Sequence, residues 1–206
     1  LFYAATTVIA NAGANFFSFF HARKYVKIRF TLHLNLNYHI KPIMILFLTT
    51  ITATIYVNSD KTLIGLINGD YYVGLYSIAV NVYTILKNTL AAVILVALPR
   101  MTSFIARGDA EEYHMLSDKL LKVTILLLFP IVCGIIVTAP HVVVLIGGFK
   151  YADASLSLQI LSLSLIFATL AIYFTNVVLL PYKLEKVNLI ASVISAVVNI
   201  VINLFI

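Results

Sequence analysis

The sequence predicts an all-α integral membrane protein, a polytopic bundle of about six transmembrane helices. Its 206 residues are 62% hydrophobic and only 11% charged, whereas soluble domains average about 45–50% apolar residues. The apolar residues also form long runs, and about 20 such residues are enough for a helix to cross the hydrocarbon core of a bilayer. A water-soluble core is therefore not expected.

Six apolar runs are long enough to span: 1–20, 42–67, 71–98, 122–145, 154–180 and 187–206. Several exceed the required length, which predicts tilt, kinks or ends that project into solvent. Pro130, followed by Gly134, should kink the fourth run because proline removes a helical hydrogen bond. Gly147 and Gly148 should separate the fourth run from the fifth.

The positively charged residues predict the orientation. Most of the 14 lysines and arginines fall in three alternate connections, 21–41, 99–122 and 181–186, and basic residues in short loops favour the cytoplasmic side. The same clustering explains the net charge of +6 without nucleic acid as a partner. Cys133 is the single cysteine, and the five histidines match no metal motif, so neither a metal site nor an intrachain disulfide is expected.

Two connections carry patterns of their own. From Val26 to Asn37 apolar and polar residues alternate, which predicts an extended strip or hairpin on the cytoplasmic surface, with an interfacial loop as the alternative. Asp109 and Glu112 have capping-box spacing. Tyr113, Leu116 and Leu120 then recur on one helical face, which predicts a short amphipathic helix on the membrane surface between Arg100 and Lys122.

Asp60 is the candidate ion-coupling residue. It is an acid set apart from the basic loops and adjacent to a spanning segment, and a carboxylate there can carry a proton or bind Na⁺. The alternative is a structural pair between Asp60 and Lys61 that holds a helix end at the interface.

Lys87 is the leading candidate for substrate binding. It is roughly 16 Å from either end of its predicted helix, so it needs either a water-filled cavity, where an ammonium suits a phosphate, or a polar partner. Other candidate substrate contacts are Lys61, Asn81, Asn88, Asn199 and Asn203. For the asparagines, hydrogen bonding between helices is the open alternative. No nucleophile elbow, phosphate loop or other catalytic motif is present, so no catalytic residue is assigned.

Six blocks of sequence resemble a known family of transporters. They are ARKYV at 22–26, HIKPI at 39–43, SDKTLIGLINGDYYVGLYSIAVNVY at 59–83, LPRMTSFIARGD at 98–109, FPIVCGIIVTAPHVVVLIGG at 129–148, and VVNIVINL at the carboxyl end. In order and spacing they resemble the polysaccharide repeat-unit flippases of the multidrug, oligosaccharidyl-lipid and polysaccharide exporter superfamily. The resemblance covers essentially the whole chain.

The resemblance implies a multi-pass protein of the bacterial inner membrane, with two helical bundles around a central cavity. Such proteins move undecaprenyl-pyrophosphate-linked oligosaccharides for capsule, O-antigen or related polymers, driven by an H⁺ or Na⁺ gradient and without a cofactor. The implied partners are the lipid-linked oligosaccharide, membrane lipid and the polysaccharide polymerase machinery.

The apolar ends of the sequence predict a fragment of a longer protein. In terms of the resemblance, 1–20 would be the last helix of the first bundle, 21–41 a basic cytoplasmic linker, and 42–206 most of the second bundle, truncated at its carboxyl end.

Two other functions stay open. A cation-coupled multidrug exporter of the same superfamily would favour acidic cavity residues over Lys87. A membrane polymerase or ligase acting on lipid-linked sugars would need a large outward loop with reactive groups, and the sequence offers none.

Overall fold

The computed structural model describes residues 2–25 and 36–205, and the regular structure within them is helical. The α-helices are α1 (Phe2–Tyr25), α2 (Leu36–Asn68), α3 (Asp70–Leu95), α4 (Leu98–Arg107), α5 (Ala110–Gly147), α6 (Ala154–Tyr173) and α7 (Glu185–Phe205). A 3₁₀ turn (Phe149–Tyr151) precedes α6, and a π-helical segment (Phe174–Leu179) continues it. Residues 26–35 of the predicted extended strip lie outside the described residues. The last two residues of the strip belong to α2.

Five helical stretches in the described part are long and apolar enough to cross a membrane: Pro42–Asn68, Asp70–Arg107, Ala110–Gly147, Ala154–Leu179 and Glu185–Asn203. The all-helical membrane prediction is therefore confirmed. Five of the six predicted spans correspond to these stretches, and the run 1–20 forms α1, which is not among the candidates. Polar residues, among them Asn11 and Asn15, reduce the apolar character of that helix.

The chain forms two compact units, Leu1–His39 and Ile40–Ile206. In the second unit α6 packs along α3 and α5. Its core has three layers, centred on Ala79 and Val143 in the first, Leu90 and Leu165 in the second, and Met101 in the third. From the first layer to the third, residue numbers rise along α3 and α6 and fall along α5, so α5 is antiparallel to both.

Helix α2 carries many threonines in its apolar run, and their hydroxyls are satisfied within the helix. Thr49, Thr50, Thr52 and Thr54 each donate to the carbonyl four residues earlier, at 2.8 to 2.9 Å. A polar side chain that returns its hydrogen bond to its own backbone avoids an unpaired group in hydrocarbon. These residues are therefore compatible with a spanning helix.

The connection between the third and fourth predicted spans differs from the prediction. Pro99 lies in the first turn of α4. The N–H groups of a first turn have no partner within the helix, so the N–H that proline lacks costs no helical hydrogen bond. Helix α5 then begins at Ala110 and runs without interruption into the apolar span. The predicted separate surface helix is thus α4 plus the first turns of α5. The predicted capping box is also wrong, since the Asp109 side chain makes no capping hydrogen bond.

Glycines with positive φ form the turns at the start of α3 and at the end of α5. These are the ends that lie away from the α3–α4–α5 connection. Gly69 (φ 89°) joins α2 to α3, and Gly148 (φ 81°) follows α5. Residues with a Cβ rarely adopt this backbone conformation. The predicted break at Gly147 and Gly148 is confirmed, because α5 ends there.

A tyrosine of α5 completes the hydrogen bonding at the far end of α6. The carbonyl of Val177 would normally accept from the residue four positions on, but Pro181 has no N–H. The next N–H, of Tyr182, donates to Val178 instead at 3.3 Å. The buried Tyr113 hydroxyl donates to the Val177 carbonyl at 2.9 Å. Tyr113 therefore replaces the hydrogen bond that Pro181 removes.

Replacing Tyr113 by phenylalanine is expected to lower the stability of the second unit by about 1–3 kcal/mol, because a buried carbonyl loses its partner. The measurement is thermal unfolding of the purified protein. Tyr72→Phe is the matched control, since Tyr72 is 51% exposed. Adding Pro181→Ala to the Tyr113→Phe variant supplies a backbone N–H and should recover part of the loss. Equal unfolding temperatures for Tyr113→Phe and Tyr72→Phe would contradict this account.

Candidate functional site

A polar cluster lies within the apolar helices and is centred on Asp60 of α2. Asp60 lies two turns, or about 12 Å, before the end of α2. Its Oδ2 accepts a hydrogen bond from the Tyr76 hydroxyl of α3 at 3.0 Å. Its Oδ1 accepts one from the Asn203 amide of α7 at 2.7 Å. Three helices therefore meet at one half-buried carboxylate.

The cluster extends along α7 by one turn. The Ser59 hydroxyl donates to Asn199 Oδ1 at 3.1 Å, and the Asn203 amide also lies 3.4 Å from that oxygen. Asn199 and Asn203 are four residues apart, so both side chains project from the same helical face. Their spacing places them against two consecutive residues of α2, Ser59 and Asp60.

Two cavities adjoin the Asp60 carboxylate. The larger, of about 460 Å³, lies toward the end of α2 and is lined by Asp60, Leu63, Ile64, Ile67, Asn68, Tyr76 and Asn203. The smaller, of about 110 Å³, lies along α3 and is lined by Asp60, Tyr76, Val80, Tyr83, Thr84, Lys87, Leu161 and Ser164. Asp60 and Tyr76 belong to both, so the carboxylate stands between them.

Lys87 shares the smaller cavity with Asp60. From Tyr76 the α3 lining residues follow at i+4, i+7, i+8 and i+11, which is one face of a helix. Side chains in a helix point back toward its amino terminus, and the Lys87 Nζ accordingly lies 5.4 Å from the centre of the Tyr83 ring, one turn back. The ammonium is thus directed along the cavity toward the Asp60 end.

The predicted site residues separate into two groups. Asp60, Asn199 and Asn203 are brought together, and Lys87 shares a cavity with Asp60. Asn81 and Asn88 are exposed, and with Lys61 they line neither of the two cavities at Asp60. The hydrogen-bond partners of Asp60 in the described residues are Tyr76 and Asn203, and Lys61 is not one of them.

Sequence reasoning missed Ser59, Tyr76 and Tyr83 as parts of the site. A signal was present for the tyrosines, because Tyr76, Tyr83 and Lys87 follow helical spacing on one face of α3. Ser59 carried no such signal, since its contact with Asn199 joins residues 140 positions apart. Among the described residues, no group of three histidine, cysteine or acidic side chains could hold a metal ion.

The fold and this site define a polytopic helical membrane protein that contains a charged cavity within its spanning helices. Residues 5–156, more than half of the chain, match the family described as "Polysaccharide biosynthesis protein". The chain belongs to this family, and the family-level prediction from the sequence blocks is confirmed. No curated protein and no solved structure matches the chain.

Proposed function

We propose that this protein is a flippase that translocates undecaprenyl-pyrophosphate-linked oligosaccharide repeat units across the bacterial inner membrane. Family membership supports a role in polysaccharide biosynthesis. The observation that carries the proposal is the cavity shared by Lys87 and Asp60 within apolar spanning helices. Charged residues at such a depth are unfavourable unless they serve a substrate or ion pathway, so the protein acts as a transporter and not as an enzyme.

Lys87 is the proposed contact for the pyrophosphate. The ammonium is half-buried, faces the smaller cavity and lies over an aromatic ring, where a partly desolvated cation attracts an anion strongly. A lysine binds phosphate as a point charge and does not require a fixed orientation. This suits a substrate that moves through the cavity, while its polyprenyl chain stays in lipid.

Asp60 is the proposed coupling residue, with H⁺ or Na⁺ as the ion. The carboxylate accepts hydrogen bonds from Tyr76 and Asn203, and Ser59 and Asn199 continue the same polar cluster. Carboxylate, amide and hydroxyl oxygens can accommodate either a proton or a small hard cation. Because these groups come from α2, α3 and α7, occupancy by a cation can change how three helices pack.

The remaining parts of the proposal follow from the basic loops and the family. The connections rich in lysine and arginine face the cytoplasm. In this orientation Asp60 lies in the outer half of the membrane and the Tyr113 end of α5 lies near the inner face.

The proposed partners are the lipid-linked oligosaccharide, membrane lipid and polymerase machinery. Residues 1–20, 21–41 and 42–206 are proposed as the last helix of a first bundle, a linker and most of a second bundle.

A cation-coupled multidrug exporter is the second candidate, and one observation favours it. The larger cavity contains a carboxylate, Asp60, and no basic side chain, which suits a cationic organic substrate better than a pyrophosphate. Lys87 lines only the other cavity of the two. The two functions therefore differ in which cavity receives the substrate.

The test is translocation by the purified protein in proteoliposomes. A polyprenyl-pyrophosphate-linked oligosaccharide is placed in both leaflets, and the fraction that an external glycosidase can cleave is followed under an imposed H⁺ or Na⁺ gradient. The flippase should make the inner pool accessible, whereas protein-free liposomes should keep the whole inner pool protected. Extrusion of a cationic dye without movement of the lipid-linked sugar would favour the exporter.

A further inference from the structure

We propose that Lys87 and Asp60 form a reversible ion pair, so that Lys87 acts as a built-in competitor of the coupling cation. The inference rests on the proposed function and adds the step that links its two sites. In the present structure the two charges line one cavity of about 110 Å³ without pairing. That volume corresponds to only a few water molecules.

The Lys87 side chain is oriented toward the Asp60 end of the shared cavity. The Lys87 side chain points back along α3, and its Nζ already lies over the Tyr83 ring. Tyr83 lies between Lys87 and Tyr76 on the same helical face, and the Tyr76 hydroxyl contacts Asp60. A rotamer change that extends Lys87 past Tyr83 moves the charge toward Asp60 along the cavity.

The carboxylate has room for this additional partner. Tyr76 donates to Oδ2 and Asn203 donates to Oδ1, one bond to each oxygen. A carboxylate can accept about four hydrogen bonds. Lys87 can therefore pair with Asp60 without displacing either neighbour, and attraction between the two charges grows as their separation falls in a weakly polar cavity.

The pair makes the position of the Lys87 ammonium depend on the charge of Asp60. With no cation at Asp60, the carboxylate holds Lys87 and the ammonium is neutralised. A proton or Na⁺ at Asp60 removes that attraction and releases Lys87 to the cavity, so the state of Lys87 depends on whether a cation occupies Asp60.

A double-variant cycle on the full chain tests the pair without any transport measurement. The Lys87→Met, Asp60→Asn and double variants are unfolded thermally in a choline buffer of low Na⁺ content at one fixed pH. Lys87→Met leaves an unneutralised carboxylate among apolar helices, which is strongly destabilising. Adding Asp60→Asn removes that charge, so the double variant should unfold about 2–4 °C or more above Lys87→Met, whereas Asp60→Asn alone should not raise the unfolding temperature of the native protein.

Two matched controls define the specificity of this rescue. Asp70→Asn, which changes an exposed acid at the start of α3, should not raise the unfolding temperature of Lys87→Met. Lys61→Met removes the lysine next to Asp60, and its effect should simply add to that of Asp60→Asn because Lys61 lies outside the shared cavity.

Comparing the double variant with Lys87→Met tests the proposal even if Lys87→Met alone does not fold. If Lys87→Met fails to fold, recovery of a folded protein in the double variant supports the pair. A double variant that is no more stable than Lys87→Met overturns it. Because unfolding requires no substrate, this result is independent of whether the protein flips a lipid-linked sugar or exports a cationic drug.

Discussion

Asp60→Asn is expected to weaken gradient-driven transport strongly while the protein stays folded. Asparagine has nearly the same shape, and its oxygen can still accept a hydrogen bond from the Asn203 amide, which lies 2.7 Å from Asp60 in the native protein. It carries no charge, however, and hydrogen bonds to charged groups are worth about 1.5–3 kcal/mol. This corresponds to about a ten- to hundredfold weaker response to the coupling ion.

The measurement is translocation in proteoliposomes with and without an imposed H⁺ or Na⁺ gradient. Asp70→Asn is the control, because it removes an acid of the same type from an exposed helix start and should respond like the native protein. The structural alternative, a pair between Asp60 and Lys61, predicts that exchanging the two residues preserves transport. A full gradient response from Asp60→Asn would exclude the coupling role.

The helices of this protein could be predicted from the sequence because their signal is local. Long apolar runs are read directly from composition, and five of the six predicted spans overlap the observed candidate spans, with most of their ends agreeing to within three residues. A helix after Asp109 was predicted, but its continuation into the fourth span was not. Its first residues, from Ala110 to Leu121, include charged side chains that favour helix as strongly as apolar ones do, so hydropathy does not show that they belong to the same helix as the apolar run.

The site could be predicted only in its parts. Asp60 and Lys87 stood out because charge within an apolar run is conspicuous. Nothing local indicated that Asp60 meets Asn203, since the two residues are 143 positions apart and their contact depends on how α7 packs against α2. The polar stripe on α7 predicted that Asn199 and Asn203 face protein, but not which helix they face.

Lys61 illustrates a different limit of the sequence. Its neighbour in sequence, Asp60, made it a plausible member of the site, but consecutive residues on a helix project about 100° apart. The structure places Asp60 in two cavities and Lys61 in neither of them. Proximity in sequence is therefore a weaker guide than helical spacing, which correctly relates Lys87 to Tyr83 and Tyr76.

Lys87→Ala is expected to cause the largest loss of transport of the lipid-linked oligosaccharide. The substitution removes the ammonium from the cavity that it shares with Asp60. Truncating one partner of a buried charged contact costs about 2–5 kcal/mol, which predicts at least about a thirtyfold loss of substrate affinity. Lys87→Arg keeps the charge and should retain part of the activity, although its planar guanidinium fits the cavity differently.

Binding of the lipid-linked pyrophosphate to the purified protein and the rate of its translocation are the two measurements for this prediction. Lys150→Ala is the matched control, because Lys150 also lies over an aromatic ring, at 5.7 Å from that of Tyr151, but is exposed outside the cavity. Its removal should leave binding unchanged. A Lys87→Ala protein that folds normally and binds the pyrophosphate as tightly as the native protein would remove Lys87 from the substrate site, and the larger cavity beside Asp60 would then be the place where the substrate binds.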